Sequence, residues 1–372
     1  MTTPTRTLAI TAATVVVLLA APLAAQTPSG GSEWKTDFSK AAVPLNEIRA
    51  GGPPKDGIPP IDRPKFQTVA EAAAWLRPNE PVIYFERAGD ARAYPLQILI
   101  WHEIVNDVVG GVPAAVTFCP LCNTSITFDR RLEGTTYDFG TTGRLYRSAL
   151  VMYDRQTESW WWQVSGEALV GTLVGKRLTV LPSQIVSFDA FRAAHPAGRV
   201  LSRDTGHVRR YGQNPYVGYD DINASPFLYA GPRDPRLRPM ERVVTVSIGG
   251  EHAAYPFSVL AQVGVVHDQV GGVPIVVLHQ TGTSSALDQG DIAASRDVGA
   301  AAVFSPVVDG RRLTFKARDG RFADDQTGSA WTILGRAVQG RLAGRQLEPV
   351  VHGNHFWFSW VSYRPQTRVY RP

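Results

Sequence analysis

From about residue 80 onward, apolar and polar positions alternate in short runs broken by Gly, Asp and Pro, the two-residue period of strands. Val82 to Arg87 and Ala91 to Tyr94 predict a hairpin about Ala88-Gly89-Asp90. Glu103 to Val109 and Val112 to Phe118 predict a second across Gly110-Gly111, a favoured two-residue turn. Ser125 to Arg130 resumes as a strand, Glu133-Gly134 turns it, and Thr135 to Phe139 partners it; Ala149 to Tyr153 and Ser159 to Val164 are further strands. Helical signals are few. Thr68-Val69-Ala70-Glu71 is a capping box opening a helix that Arg77-Pro78 ends. Pro95 starts a helical turn through Trp101, and Ser187 caps a helix that stops before His195-Pro196. The expected class is mainly β with short helices (α+β).

The pattern is written twice. Ala93-Tyr94-Pro95, Val105-Asn106-Asp107 and Gly110-Gly111-Val112-Pro113 recur 161 residues later as Ala254-Tyr255-Pro256, Val266-His267-Asp268 and Gly271-Gly272-Val273-Pro274. Asp154, Thr157, Ser159 and Trp161 answer to Asp324, Thr327, Ser329 and Trp331, and a ladder of Gly, Ala and Leu follows in both. Ordered matches of this kind predict a tandem duplication of a domain-sized unit, barrel- or sandwich-like. The organisation expected is a signal segment over 1–25, an arm with a short helix over 26–77, a first repeat over 78–199, a connector over 200–240 and a second repeat over 241–372. The shared residues are mostly turn formers and core fillers. The unshared ones point to chemistry: Cys119 faces Gln280, Cys122 faces Thr283 and His102 faces Val263.

Composition narrows the compartment and the partners. Arg6 followed by the apolar run Leu8 to Ala21 and Leu23-Ala24-Ala25 reads as a cleaved export signal, which predicts a periplasmic or extracellular protein with no stable membrane insertion. The net charge of +5 is mild, and the basic pairs are too scattered for a nucleic-acid patch. No nucleotide cofactor is indicated; a small molecule or a metal ion is the expected partner.

The only two thiols are Cys119 and Cys122, in Cys119-Pro120-Leu121-Cys122 directly after a strand. A disulfide across so short a loop adds little stability, so redox chemistry or metal binding is the better reason for the pair. Tracing the hairpin back from Gly110-Gly111 sets residue 102 opposite residue 119. His102, Cys119 and Cys122 are therefore the candidate ligands for copper or zinc, both of which accept thiolate and imidazole. A dithiol–disulfide oxidoreductase is the alternative, with Cys119 attacking and Cys122 resolving. The β-branched Asn123 to Phe128 stretch argues against the helix that follows such a pair in thioredoxins. A third reading is a non-catalytic module that binds ligand through its aromatics. His279 and Asp288 are candidate contributors from the second repeat. Trp160-Trp161-Trp162 reads as core, although alternation in a strand turns one of the three to the other side, where an exposed Trp could line a pocket. Asp154 and Asp324 read as hydrogen-bond acceptors at strand ends.

With these residues in view, the chain resembles the family called domain of unknown function 3179 (DUF3179). The resemblance rests on His102-Glu103-Ile104-Val105-Asn106-Asp107, Val116 to Asn123, Val151 to Arg155 and Gly166 to Gly171. In the second half it rests on Ser285 to Asp288, Thr327 to Trp331 and Phe356 to Trp360. It spans about 80 to 367 and implies no particular activity.

Overall fold

The computed structural model describes residues 33–318 and 320–372; the signal segment expected over 1–25 lies outside them. Among the described residues, strands dominate and the α-helices have only four to seven residues each. No helix there is long and apolar enough to cross a membrane.

The expected hairpins form with small shifts at their ends. Pro81–Arg87 pairs with Asp90–Pro95, and Ile104–Val109 pairs with Val112–Cys119. Gly110 and Gly111 take φ of 53° and 80°, as the two-residue turn requires. The capping box is complete: Thr68 Oγ1 accepts from Glu71 N while Glu71 Oε2 accepts from Thr68 N, opening helix Val69–Ala72. Ser187 Oγ caps Phe188–Ala194 by accepting from Ala190 N.

The largest sheet draws on both halves of the chain. A smaller one runs in the order Gln184–Ser187, Pro81–Arg87, Asp90–Pro95, Arg199–Leu201, Phe66–Thr68. The largest begins with Arg368–Val369, Glu251–Pro256, Arg242–Ile248 and His352–Phe356. It crosses at Asn354↔Ser125 into Thr124–Asp129, Val112–Cys119 and Ile104–Val109. Among the described residues no sheet closes into a barrel: the larger one ends in Ile104–Val109 on one side and Arg368–Val369 on the other, which do not pair. Equivalent bonds recur in the two halves. Tyr94 Oη donates to Asp107 Oδ2 at 2.6 Å and Tyr255 Oη to Asp268 Oδ2 at 2.8 Å. Trp161 Nε1 donates to Asp154 and Trp331 Nε1 to Asp324, each at 2.9 Å. The acceptor role expected for these aspartates is the one they have.

The cores are shared as well. Val82, Phe188 and Phe191 pack in one cluster with Val276, Phe304 and Trp331. All three members of the 160–162 triple are buried, as the core reading expects, and none is left to line a pocket. Trp34 and Phe38 meet Trp160 edge-on at 5.2 Å, and Tyr146 and Tyr363 enclose Trp162. The arm is anchored by Ile48–Ala50 pairing with Arg144 to Tyr146. Residues 202–240 form turns with no strand or helix and fold back over the cysteine end of the larger sheet.

Candidate functional site

Val112–Cys119 and Thr124–Asp129 are central strands, and their last and first residues face each other as Cys119↔Thr124. Between them Pro120–Cys122 makes one tight 3-10 turn. Asn123 closes it at φ 48°, a left-handed conformation that asparagine tolerates well. The strand after the cysteines replaces the helix of a thioredoxin-type site. Both thiols are free and wholly buried, and Cys122 Sγ lies 3.8 Å from the Cys119 carbonyl oxygen. Burial, and then Cys122 alongside, push the Cys119 thiol well above its ordinary range. Backbone N–H groups of Leu150 and Cys122 face its sulfur.

The traced register is correct in the ladder, where Ile104 pairs with Thr117, yet His102 is not the side chain that reaches the cysteines. The strand begins only at Ile104, and Glu103 turns the chain at φ 58°. His102 therefore swings toward the arm and the 202–240 segment. Its Nδ1 lies 2.7 Å from Pro59 O and its Nε2 2.7 Å from Tyr211 Oη. Burial pushes its pKa down to about 4, so the ring is neutral near pH 7. Among the described residues, no three His, Cys, Asp or Glu side chains converge as a metal-ligand set.

Glu103 takes the place that the register trace gave to His102. Its side chain is 5% exposed, and no hydrogen bond reaches its carboxyl among the described residues. Burial, with the neighbouring Cys119, pushes that carboxyl well above the ordinary range. The phenols of Tyr216 and Tyr219, from the 202–240 segment, pack against the core that holds both cysteines. Tyr216 lies within electrostatic reach of both Glu103 and Cys119, and Tyr219 Oη donates to Leu121 O at 2.9 Å. A signal for Glu103 was present in the sequence. The 161-residue offset sets it against Gly264, which takes φ 70° at the same turn. One half uses the residue suited to that backbone, and the other spends strain to place a carboxyl there.

A histidine does approach the cysteine turn, from the second half. His355 Nδ1 lies 2.9 Å from Thr124 Oγ1, which also donates to Cys122 O at 3.2 Å. Burial pushes its pKa down to about 3. His355 directly precedes the aromatic run Phe356 to Trp360, and nothing local in the sequence marks a contact made across the seam of the sheet. His279 and Asp288 do not bond to each other. His279 packs edge-on against Phe257 at 5.6 Å, with Nε2 unpartnered. Asp288 accepts from Arg296 N and Nη1 at 2.8 and 2.9 Å. Ser285 donates instead to Asp220, a buried carboxylate also held by Arg242 and Arg296, so Ser285, His279 and Asp288 make no catalytic relay.

Comparison finds no match among curated proteins and none among solved structures. One family does match, over residues 55–367, which is most of the chain. By that match, the protein with this buried cysteine turn belongs to the family described as "Protein of unknown function (DUF3179)".

Proposed function

We propose that Cys119 and Cys122 form a reversible dithiol–disulfide couple whose proton traffic runs through Glu103. The observation that carries this reading is the Glu103 side chain: only 5% exposed, beside Cys119, and held on a left-handed backbone that the other half gives to glycine. Such a group is costly to keep and calls for a functional reason.

The surroundings favour this couple over a metal thiolate. Two thiols and a disulfide are both neutral, so either state avoids a buried charge. A Cu(I) ion on two thiolates would leave a net negative charge in this apolar pocket. A zinc ion needs further ligands, which His102 does not supply here. In the reducing direction a partner thiolate attacks Cys122 Sγ, the Cys119–Cys122 bond breaks, and Cys119 leaves as a thiolate that takes the Glu103 proton. A second partner thiolate then attacks the partner sulfur of the mixed disulfide, releasing a partner disulfide and the Cys122 thiolate; the two protons lost by the partner thiols on ionising return to Cys122 and Glu103, which leaves two thiols and a neutral acid. The oxidising direction is the reverse: Cys122 and Glu103 each give up a proton, the Cys122 thiolate opens the partner disulfide, and the Glu103 carboxylate takes the Cys119 proton as Cys119 attacks Cys122 Sγ and releases the partner thiolate. Export to an oxidising compartment, as residues 1–25 suggest, would supply disulfide partners.

The test is equilibration of the purified protein in glutathione buffers of graded potential, with trapped thiols counted by mass spectrometry and metal measured on the same sample. Reversible formation of one Cys119–Cys122 disulfide, slowed in Glu103→Gln, is the expected result. Near-stoichiometric copper or zinc that the Cys119→Ser, Cys122→Ser double variant loses, without a reversible couple, would overturn the proposal in favour of a metal centre.

A further inference from the structure

A second feature lies apart from the cysteines. Residues 222–239 of the irregular segment arch over helix Trp357–Tyr363 and leave a cavity of about 770 Å³ between them. Sites for drug-sized molecules fall in the range of roughly 300–1,000 Å³. Its floor is apolar: Trp357, Phe358 and Val361, all buried, from one side of that helix. Leu237 and several prolines of the arch form its walls. Tyr229 fixes the arch by stacking edge-on to Phe358 at 5.0 Å and donating to Pro232 O at 2.7 Å.

The charges around this cavity do not cancel. Its charged lining side chains are Arg233, Asp234 and Arg238. Asp234 is spent on Arg236, which grips it through Nε and Nη2. Arg238 bonds only the neutral amide oxygen of Asn223, at 2.7 Å, and Arg233 has no partner among the described residues. Two guanidinium groups are thus left over an apolar floor.

We infer that this cavity binds an amphipathic anion, a molecule with an alkyl or aryl body and a carboxylate or similar head. The body lies on Trp357, Phe358 and Val361, and the head meets Arg233 and Arg238. Exclusion of water from the floor supplies affinity, and the guanidinium pair supplies the preference for a negative head. The cavity does not depend on the dithiol, so the two proposals stand or fall separately.

The test is calorimetric titration of the full protein with dodecanoate, dodecan-1-ol and dodecyltrimethylammonium, each below its micellar concentration. Dodecanoate should bind one to one and at least ten-fold more tightly than the ammonium probe. In the Arg233→Ala, Arg238→Ala variant, whose changes sit at the exposed rim, that preference should vanish while the melting temperature and alcohol binding are kept. Val361→Trp, which fills the floor, should lose all three probes; if it fails to fold, Leu237→Trp serves instead. No dodecanoate binding to the parent, equal binding of anion and cation, or a preference that survives loss of both arginines would each overturn the inference.

Discussion

Replacing Glu103 by Gln should stabilise the protein by an amount that grows with pH. The folded chain holds this carboxyl well above its ordinary value of 4.5, burial being the larger cause and the Cys119 sulfur the smaller. In the unfolded chain it ionises normally. Above pH 4.5 the unfolded state therefore gives up a proton that the folded state keeps, and the native protein loses about 1.4 kcal/mol of stability per pH unit until its own pKa is reached. The group's contribution is complete below the unfolded pKa and is lost as pH rises through the folded one. Glutamine has the same shape and no proton to lose. The stability gap between Glu103→Gln and parent should widen by about 2.7 kcal/mol from pH 5 to pH 7, for as long as the folded acid keeps its proton. The pH at which widening stops reads the native pKa. Contributions of other groups cancel in the difference, and Cys119, itself pushed up, stays protonated across this window. Urea unfolding of both proteins at half-unit pH steps, under reducing conditions, provides the measurement. A gap that stays constant from pH 4.5 to 7 would mean that Glu103 is ionised in the native state, and the proton role assigned to it would fail.

Three other expectations come from specific contacts. Both thiols should resist an aromatic disulfide reagent in the native state and react fully in denaturant, while Tyr219→Phe, which loses the bond to Leu121 O, should raise the native rate several-fold; an unchanged rate would show that Tyr219 does not guard the turn. Asp154→Ala removes the acceptor of Thr157 N at 2.6 Å and of Thr157 Oγ1 and Trp161 Nε1 at 2.9 Å, and should cost about 3 kcal/mol or more in chemical denaturation, with Asp324→Ala costing a similar amount; a loss under about 1 kcal/mol in either would contradict this. Gly110→Ala and Gly111→Ala both strain a positive φ, but only at Gly110 would the new methyl meet backbone, 2.1 Å from Arg87 O, so Gly110→Ala should lower the melting temperature clearly more; equal losses would refute the steric argument.

Much of the local structure was legible because its signals are local. Gly110-Gly111 dictates its hairpin, Thr68 and Glu71 their capping box, and Ser187 its helix start, each through bonds among residues a few positions apart. The 161-residue recurrence picked out Cys119 and Cys122 as unshared, and it carried the contrast of Glu103 with Gly264. The ladder register, too, followed from counting back from the turn.

Which side chain meets the sulfurs was decided elsewhere. Register fixes faces only while the strand lasts, and a single left-handed residue at Glu103 ends it, sending His102 to Pro59 and Tyr211 and leaving a carboxyl beside Cys119. His355 reaches Thr124 across 231 residues, and Tyr216 and Tyr219 arrive from a segment with no regular structure. Trp160 is covered by an arm more than 100 residues earlier in the chain, and Trp162 by Tyr363 from about 200 residues later. The sequence by itself determined the strands, turns, caps and the uniqueness of the cysteine turn, since those depend on short-range sterics and hydrogen bonding. The acid beside the sulfur, the cover over it and the cavity at Trp357 come from packing between distant segments, which only the tertiary structure brings together.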